Sequence, residues 1–135
     1  MNVKTDTKEK FHAITVQGSS LSATMTDEMA GCLLPFLQNE VKNLVLILND
    51  VGTIDVAAGE KLVEIQQEFY NNGASFVICE MQKPVEKFLY QNNLLEKMNV
   101  TPTQSEAWDI VQMEELEREF LKEGPLSPDD EAPVP

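Results

Sequence analysis

Three observations predict an α/β fold, a single domain with a mixed β-sheet of about four to five strands and four α-helices packed on it. An unbroken apolar run, Leu44, Val45, Leu46, Ile47 and Leu48, reads as a strand buried on both faces, as in a parallel sheet. After a short loop the apolar period becomes helical, with Ala58, Leu62, Ile65 and Phe69 on one stripe. A second apolar run, residues 75–80 (SFVICE), follows a helix stop at Asn71, Asn72 and Gly73. Strand, helix and strand in so short a span make a βαβ unit, with parallel strands and a right-handed crossover.

The remaining elements follow in chain order. Asn2, Val3, Lys4 and Thr5 alternate in polarity and predict a short edge strand, and residues 7–10 form a polar turn. Residues 11–16 predict a second strand, with Phe11, Ala13 and Thr15 on one face and His12, Ile14 and Val16 on the other. So short a connection pairs the two strands antiparallel. Gly18, Ser19 and Ser20 break the chain, and Ser22 or Thr24 offers a cap for a helix over 25–37. Its stripe is Met25, Met29, Cys32, Leu33 and Phe36, and Pro35 kinks or ends it. Asp55 is a good N-cap for a helix over 56–71. Pro84 opens a helix to Gln91, with Val85, Phe88 and Leu89 inward. Leu94, Leu95 and Met98 form a connector, and residues 99–101 a last short strand. Thr103 or Ser105 caps a final helix over 106–121, whose apolar residues are Ala107, Ile110, Val111, Met113 and Leu116, with Trp108 at the edge of that stripe or off it.

The chain of 135 residues suits one domain, assigned to 1–121, and its 42% hydrophobic and 24% charged content is that of a soluble globular protein. No run reaches the length of a transmembrane span, and MNVKTDTKEK lacks a signal peptide's apolar region, so a cytoplasmic location without membrane insertion is expected. The net charge of −13 is uneven: residues 1–103 carry 8 Lys/Arg against 13 Asp/Glu, and residues 104–135 carry 2 against 10. This balance argues against nucleic acid or an anionic membrane as partner, because phosphate recognition needs clustered Lys and Arg. A basic protein surface is the better match. The segment 122–135, acidic and proline-rich, predicts a disordered tail. Cys32 and Cys79 sit in separate apolar segments and read as buried thiols of a reducing compartment. The single histidine, His12, has no partner motif, so no metal site is expected.

The joint between the apolar strand and the following helix resembles the STAS domain of the bacterial anti-sigma factor antagonists. The family pattern runs apolar-Asp-Leu-Ser-x-Val-x-Phe-Ile-Asp-Ser-Ser-Gly-Leu-Gly. This chain reads Leu46, Ile47, Leu48, Asn49, Asp50, Val51, Gly52, Thr53, Ile54, Asp55, Val56, Ala57, Ala58, Gly59 and Glu60 without a gap. Gly73-Ala-Ser-Phe-Val-Ile and Pro84-Val-Glu-Lys-Phe-Leu, followed by Asn93-Leu-Leu, resemble later family segments, so the likeness spans about residues 1–120. The resemblance implies regulation of transcription by partner binding, as part of signal transduction, with a kinase phosphorylating the second serine of Asp-Ser-Ser-Gly. A phosphate at a helix N-terminus changes both charge and hydrogen bonding. Here the serine positions hold Val56 and Ala57, the glycine position holds Ala58, and Ile47 and Thr53 replace the family's aspartate and aromatic residue. Neither Val nor Ala accepts a phosphoryl group. Asp55 is retained.

The leading expectation is a non-catalytic protein-interaction module, without phosphorylation at the usual site, position 57. Its partner is a protein, an anti-sigma factor or related kinase being the one the resemblance implies. The surface is expected at Asn49, Asp50, Thr53, Asp55, Val56, Ala57 and Ala58, extended by Glu60, Lys61, Glu64 and Glu68 on the helix. The three glutamates, spaced i, i+4 and i+8, weaken a helix by up to about 0.5 kcal/mol per pair. They fit either presentation to a basic partner or a solvated face partly balanced by Lys61. The alternative is a ligand-sensing or accessory subunit of a transport complex, such as a lipid-transport complex, using the loop at the carboxyl end of a parallel strand. VGTID is not a phosphate-binding loop, so no cofactor is expected. Asp50 and Asp55 flank the loop as turn residue and cap, and no nucleophile–base pair accompanies them, so no enzyme is expected. Thr53 is not expected to replace the missing phosphoacceptor. Nothing in the sequence sets the oligomeric state.

Overall fold

The computed structural model describes residues 1–122. The tail expected over 122–135 lies outside the described residues, except that Lys122 ends the last helix. In chain order, β1 (Asn2–Thr7) and β2 (His12–Gln17) are followed by the two-residue β3 (Ser20–Leu21) and α1 (Thr26–Leu33). Then come β4 (Leu44–Ile47), the two-residue β5 (Thr53–Ile54), α2 (Val56–Asn71) and β6 (Phe76–Cys79). The chain closes with α3 (Lys83–Gln91), β7 (Val100–Thr101) and α4 (Gln104–Lys122).

β1 and β2 form the expected antiparallel hairpin, with Asn2 opposite Gln17 and Thr7 opposite His12. β2, β4, β6 and β7 are mutually parallel, and the five-stranded sheet runs β1-β2-β4-β6-β7. In register, Ile14 faces Leu46 and Leu46 faces Ile78, while Ala13, Val45 and Val77 form the next row. Alternation along each strand therefore splits the core in two. Ile14, Leu46, Ile78 and Phe76 pack with Met29, Leu62, Phe69 and Leu89 beneath α1, α2 and α3. Phe11, Ala13, Val45, Val77 and Cys79 pack on the other face against Ala107 and Val111 of α4. Both faces are covered, which is why the central strands read as continuous apolar runs.

α2 begins and ends where its cap and stop signals place it, and Ala58, Leu62, Ile65 and Phe69 are all buried. Gly73, at φ 72, supplies the left-handed turn after it. The first helix differs from expectation. Instead of one helix over 25–37, a 3-10 turn (Ala23–Met25), α1 and a second 3-10 turn (Leu34–Gln38) succeed one another. Pro35 has no N–H to continue the α ladder, and the chain tightens there. Ser22 and Thr24 hydroxyls bond each other at 3.0 Å, and neither caps the helix.

α4 departs in a second way. Thr103 does cap it, its hydroxyl oxygen accepting from the Glu106 backbone N–H at 3.1 Å. Ala107 and Val111 face the sheet, Ile110 is half-buried, and Trp108 lies at the edge against Phe11, with ring centroids 5.1 Å apart. Met113 and Leu116, however, point outward at 54% and 66% exposure. Beyond Val111 the inward face continues with Glu114 and Arg118, because the helix there passes over the polar end of the sheet rather than its apolar middle.

His12 is buried, its Nε2–H donating to the Val41 carbonyl at 2.8 Å while its Nδ1 lies 3.1 Å from the Thr7 hydroxyl. Both cysteines are free, Cys79 buried and Cys32 half-buried. Burial, with the nearby Glu80 charge, pushes the Cys79 thiol up to about 12, and burial raises that of Cys32. A raised native value means that the unfolded chain ionises first. The Cys79 contribution to stability is therefore complete below about pH 9 and is lost as pH rises towards about 12. At pH 8, Cys32 should react with a disulfide reagent before Cys79, and Cys79 only on the timescale of unfolding, as read by mass spectrometry of the labelled peptides.

Candidate functional site

The loop joining β4 to α2 is held at both ends and in its middle by backbone. Leu48 N–H donates to the Cys79 carbonyl at 3.1 Å, extending the sheet by one residue, and Val51 is fully buried beneath the loop. Asn49 and Asp50 are exposed, and the Asn49 carbonyl accepts from the Gln82 side chain at 2.8 Å. The Gly52 and Thr53 N–H groups both donate to the Ser19 carbonyl, at 2.8 and 3.2 Å. β5 then pairs in parallel with β3, Ser20 opposite Thr53 and Leu21 opposite Ile54. The segment after Gly18 is thus not a free break but the partner strand of the loop.

Asp55 ends the loop in extended backbone and uses both carboxylate oxygens. Oδ1 accepts from the Ala58 N–H at 2.9 Å, capping α2 as expected. Oδ2 accepts from the Ala23 N–H at 2.8 Å, at the start of the 3-10 turn that leads into α1. One carboxylate therefore serves the first turns of two helical segments 32 residues apart, and it does the work expected of Ser22 or Thr24.

Around this cap, Val56 is exposed at 39%, Thr53 is exposed, and Ala57 is half-buried, while Ala58 and Gly59 are buried. A Cβ at Gly59 would lie 2.8 and 2.9 Å from methyls of Leu94 and Leu89, so the first turn of α2 packs closely on α3 and the connector after it. Glu60, Glu64 and Glu68 are all exposed on α2, but Lys61 Nζ lies 3.1 Å from Glu64, which interrupts the acidic stripe. Glu60 adjoins the loop, whereas Glu68 lies about 12 Å further along the axis. There, with Lys61 and Glu64, it lines a shallow groove against Ala30 and Leu34.

Gln82 and Glu80 belong to this end of the molecule and carry no sequence signal that marks them. Glu80 leaves β6 at φ 60, a left-handed backbone uncommon for a residue with a Cβ.

The opposite end of the sheet holds a polar cluster that pattern reading misses. The Asn43 carboxamide donates to the Lys10 carbonyl and to Glu115, and accepts from the Ser75 N–H at 2.8 Å and Arg118 at 3.2 Å. Glu114 accepts from the Ser75 hydroxyl at 2.6 Å and the Tyr70 hydroxyl at 2.7 Å. Burial, reinforced by that bond to Glu114, raises the Tyr70 pKa. An open cavity of about 620 Å³ lies beside this cluster, lined by Lys10, Lys42, Asn43, Glu115 and Arg118 among others. Among the described residues, no three His, Cys, Asp or Glu side chains gather as a metal site, and no helix is long and apolar enough to cross a membrane.

The STAS domain family model matches residues 2–107, a span that holds the whole sheet, the loop and the start of α4. The chain belongs to the STAS family. Solved structures agree on the fold. A proposed anti-sigma factor antagonist from Thermotoga maritima matches with a TM-score of 0.68 at 20% identity, covering 82% of this chain and 94% of the other. An anti-sigma-factor antagonist (STAS) domain protein from Planctomyces limnophilus gives a TM-score of 0.70 at 16% identity, over 82% and 97%. The murine anion transporter Slc26a9 gives 0.62 at 12% identity, over 77% of this chain but only 18% of the transporter. Comparison with curated proteins returns no match.

The double role of Asp55 is measurable. Asp55→Ala should lower stability by about 1–2 kcal/mol, the loss of a cap together with a cross-segment bond. Asp55→Asn keeps a single acceptor oxygen and should fall between Ala and wild type. Urea unfolding of the three proteins checks the order.

Proposed function

We propose that this STAS domain is a non-catalytic protein-interaction module that regulates a partner by binding it through the loop from Asn49 to Ala58 and the first turns of α2. The domain occupies residues 1–121, and position 57 is not a phosphorylation switch. The observation that carries this reading is the loop itself. Its backbone is clamped by Ser19, Leu21, Gln82 and Asp55, it exposes Asn49, Asp50, Thr53 and Val56 over the buried Val51 and Ile54, and it ends at a helix N-terminus where Val56 and Ala57 offer no hydroxyl. A surface whose backbone is already clamped binds with little ordering cost, which suits partner capture better than ligand enclosure. The anti-sigma factor antagonists among its structural neighbours support an anti-sigma factor or related kinase as partner, in regulation of transcription.

Thr53 does not take over the switch in this reading. Its backbone is held in the β3–β5 ladder two residues before the Asp55 cap, so a kinase would have to accept an acceptor shifted from position 57. The acidic run of α2 reduces to Glu60 and Glu68 as uncompensated charges, because Lys61 answers Glu64. Glu60 is therefore the member that extends the loop surface.

Two measurements test the proposal. Affinity capture from the source organism should recover a protein with wild type and lose it with Ala57→Glu, while the variant keeps the wild-type circular dichroism and unfolding midpoint. Recovery of the same protein by both would remove the loop from the interface. Intact mass after incubation with ATP and a recovered kinase should stay unchanged, whereas a gain of one phosphate at Thr53 would restore a switch. A second reading, ligand sensing, has one feature in its favour, an open cavity of about 440 Å³ beside the ends of β6 and β7, lined by Met81, Leu95, Met98 and Thr101. A rise in melting temperature with a nucleotide or lipid would support it.

A further inference from the structure

The outer face of α4 is apolar where a solvated helix would be polar. Among the described residues six large hydrophobic side chains are exposed, and four of them, Met113, Leu116, Phe120 and Leu121, stand on this helix at 54, 66, 58 and 61%. Asp109, Met113, Leu116 and Phe120 are spaced by four, three and four residues, the spacing of a heptad seam. The seam lies opposite Ala107 and Val111, which are spent on the sheet, so α4 has one face in the core and a second without a partner within the described residues.

The charges beside the seam say what fits on it. Its flanking positions hold Ile110, Gln112, Glu117 and Glu119, and Asp109 occupies a seam position; all but the half-buried Ile110 are exposed. The described basic side chain of the helix, Arg118, is turned inward, donating to Asn43 at 3.2 Å and Ser75 at 3.1 Å. A second copy of this chain, docked α4 against α4, would bring acidic flanks together, and like charges at these positions select against such a pair. An anionic membrane is repelled for the same reason. An amphipathic helix with its own apolar seam and lysine or arginine on the flanks meets every feature.

We infer that the outer face of α4 is a second docking surface, specific for a basic amphipathic helix of another protein. It lies across the sheet from α2, so it is separate from the loop proposed above and does not depend on it. The apolar seam covers only two helical turns, so binding is modest and weakens with salt.

The test uses the full chain and two labelled synthetic peptides of about three heptads, both with leucine in the seam, one with lysine and the other with glutamate on the flanks. Fluorescence anisotropy should show the lysine peptide binding and the glutamate peptide weaker by about tenfold or more. Leu116→Gln with Phe120→Gln keeps every charge, yet should cost the lysine peptide about tenfold, which separates docking from diffuse attraction to an acidic protein. Glu117→Lys with Glu119→Lys should invert the preference between peptides, and Ala57→Glu should change neither affinity. All these positions except the half-buried Ala57 are exposed, and circular dichroism confirms folding of each variant. Equal binding of the two peptides, or an unaltered affinity in the seam variant, overturns the inference. So does self-association in sedimentation that the seam variant abolishes, since the occupant would then be a second copy.

Discussion

The carboxylate of Asp55 joins two parts of the chain that meet nowhere else by backbone pairing except at β3 and β5. Its Oδ1 fixes the first turn of α2 and its Oδ2 fixes the turn that enters α1. Each bond answers a backbone N–H that a helical start leaves without an intrahelical acceptor. With these two groups satisfied by one side chain, α1 and α2 are set in position relative to each other and to the loop between β4 and α2. The loop's exposed residues inherit that rigidity. The start of α2, with Val56 and Ala57, is thereby held at a defined place.

The sheet imposes the second constraint. Its parallel strands have apolar side chains on both faces, so helices must cover both. Three helices cover one face, and α4 alone covers the other. α4 meets the apolar middle of the sheet with Ala107 and Val111, then crosses the strand starts, where backbone and side-chain polar groups of Asn43 and Ser75 need partners. Glu114 and Arg118 supply them. Because the inward face turns polar there, Met113, Leu116 and Phe120 are left on the outside. The polar cluster and the exposed apolar seam are two consequences of one crossing.

Much of the fold is legible in the sequence. α2 could be delimited because three local signals coincide: the Asp55 cap, a stripe of helical period, and the Asn71-Asn72-Gly73 stop. The hairpin and the parallel order of β4 and β6 follow from connection length. The single helix expected over 25–37 is interrupted because Pro35 acts on backbone hydrogen bonding, whereas the stripe of Met29 and Leu33 reports only which side is buried. Ser22 and Thr24 have suitable chemistry for a cap, but a carboxylate from 32 residues away occupies the N–H. Met113 and Leu116 read as part of an apolar stripe, but apolar character alone does not tell a core-facing residue from one that faces outward. Gln82 joins the loop with no signal at all, since what brings it there is the adjacency of β4 and β6.

The local choices are legible along the chain: strand or helix, start and stop, and the family motif with Asp55 kept and its serines replaced by Val56 and Ala57. Periodicity and capping act within a few residues, so they are written in the order of the chain. The fold decides that Asp55 serves two helices, that β3 clamps the loop, and that α4 leaves an apolar seam exposed. Each of these depends on which distant segment arrives at a given place. Hydrogen bonds and burial are set by that arrival rather than by the residue's neighbours in sequence.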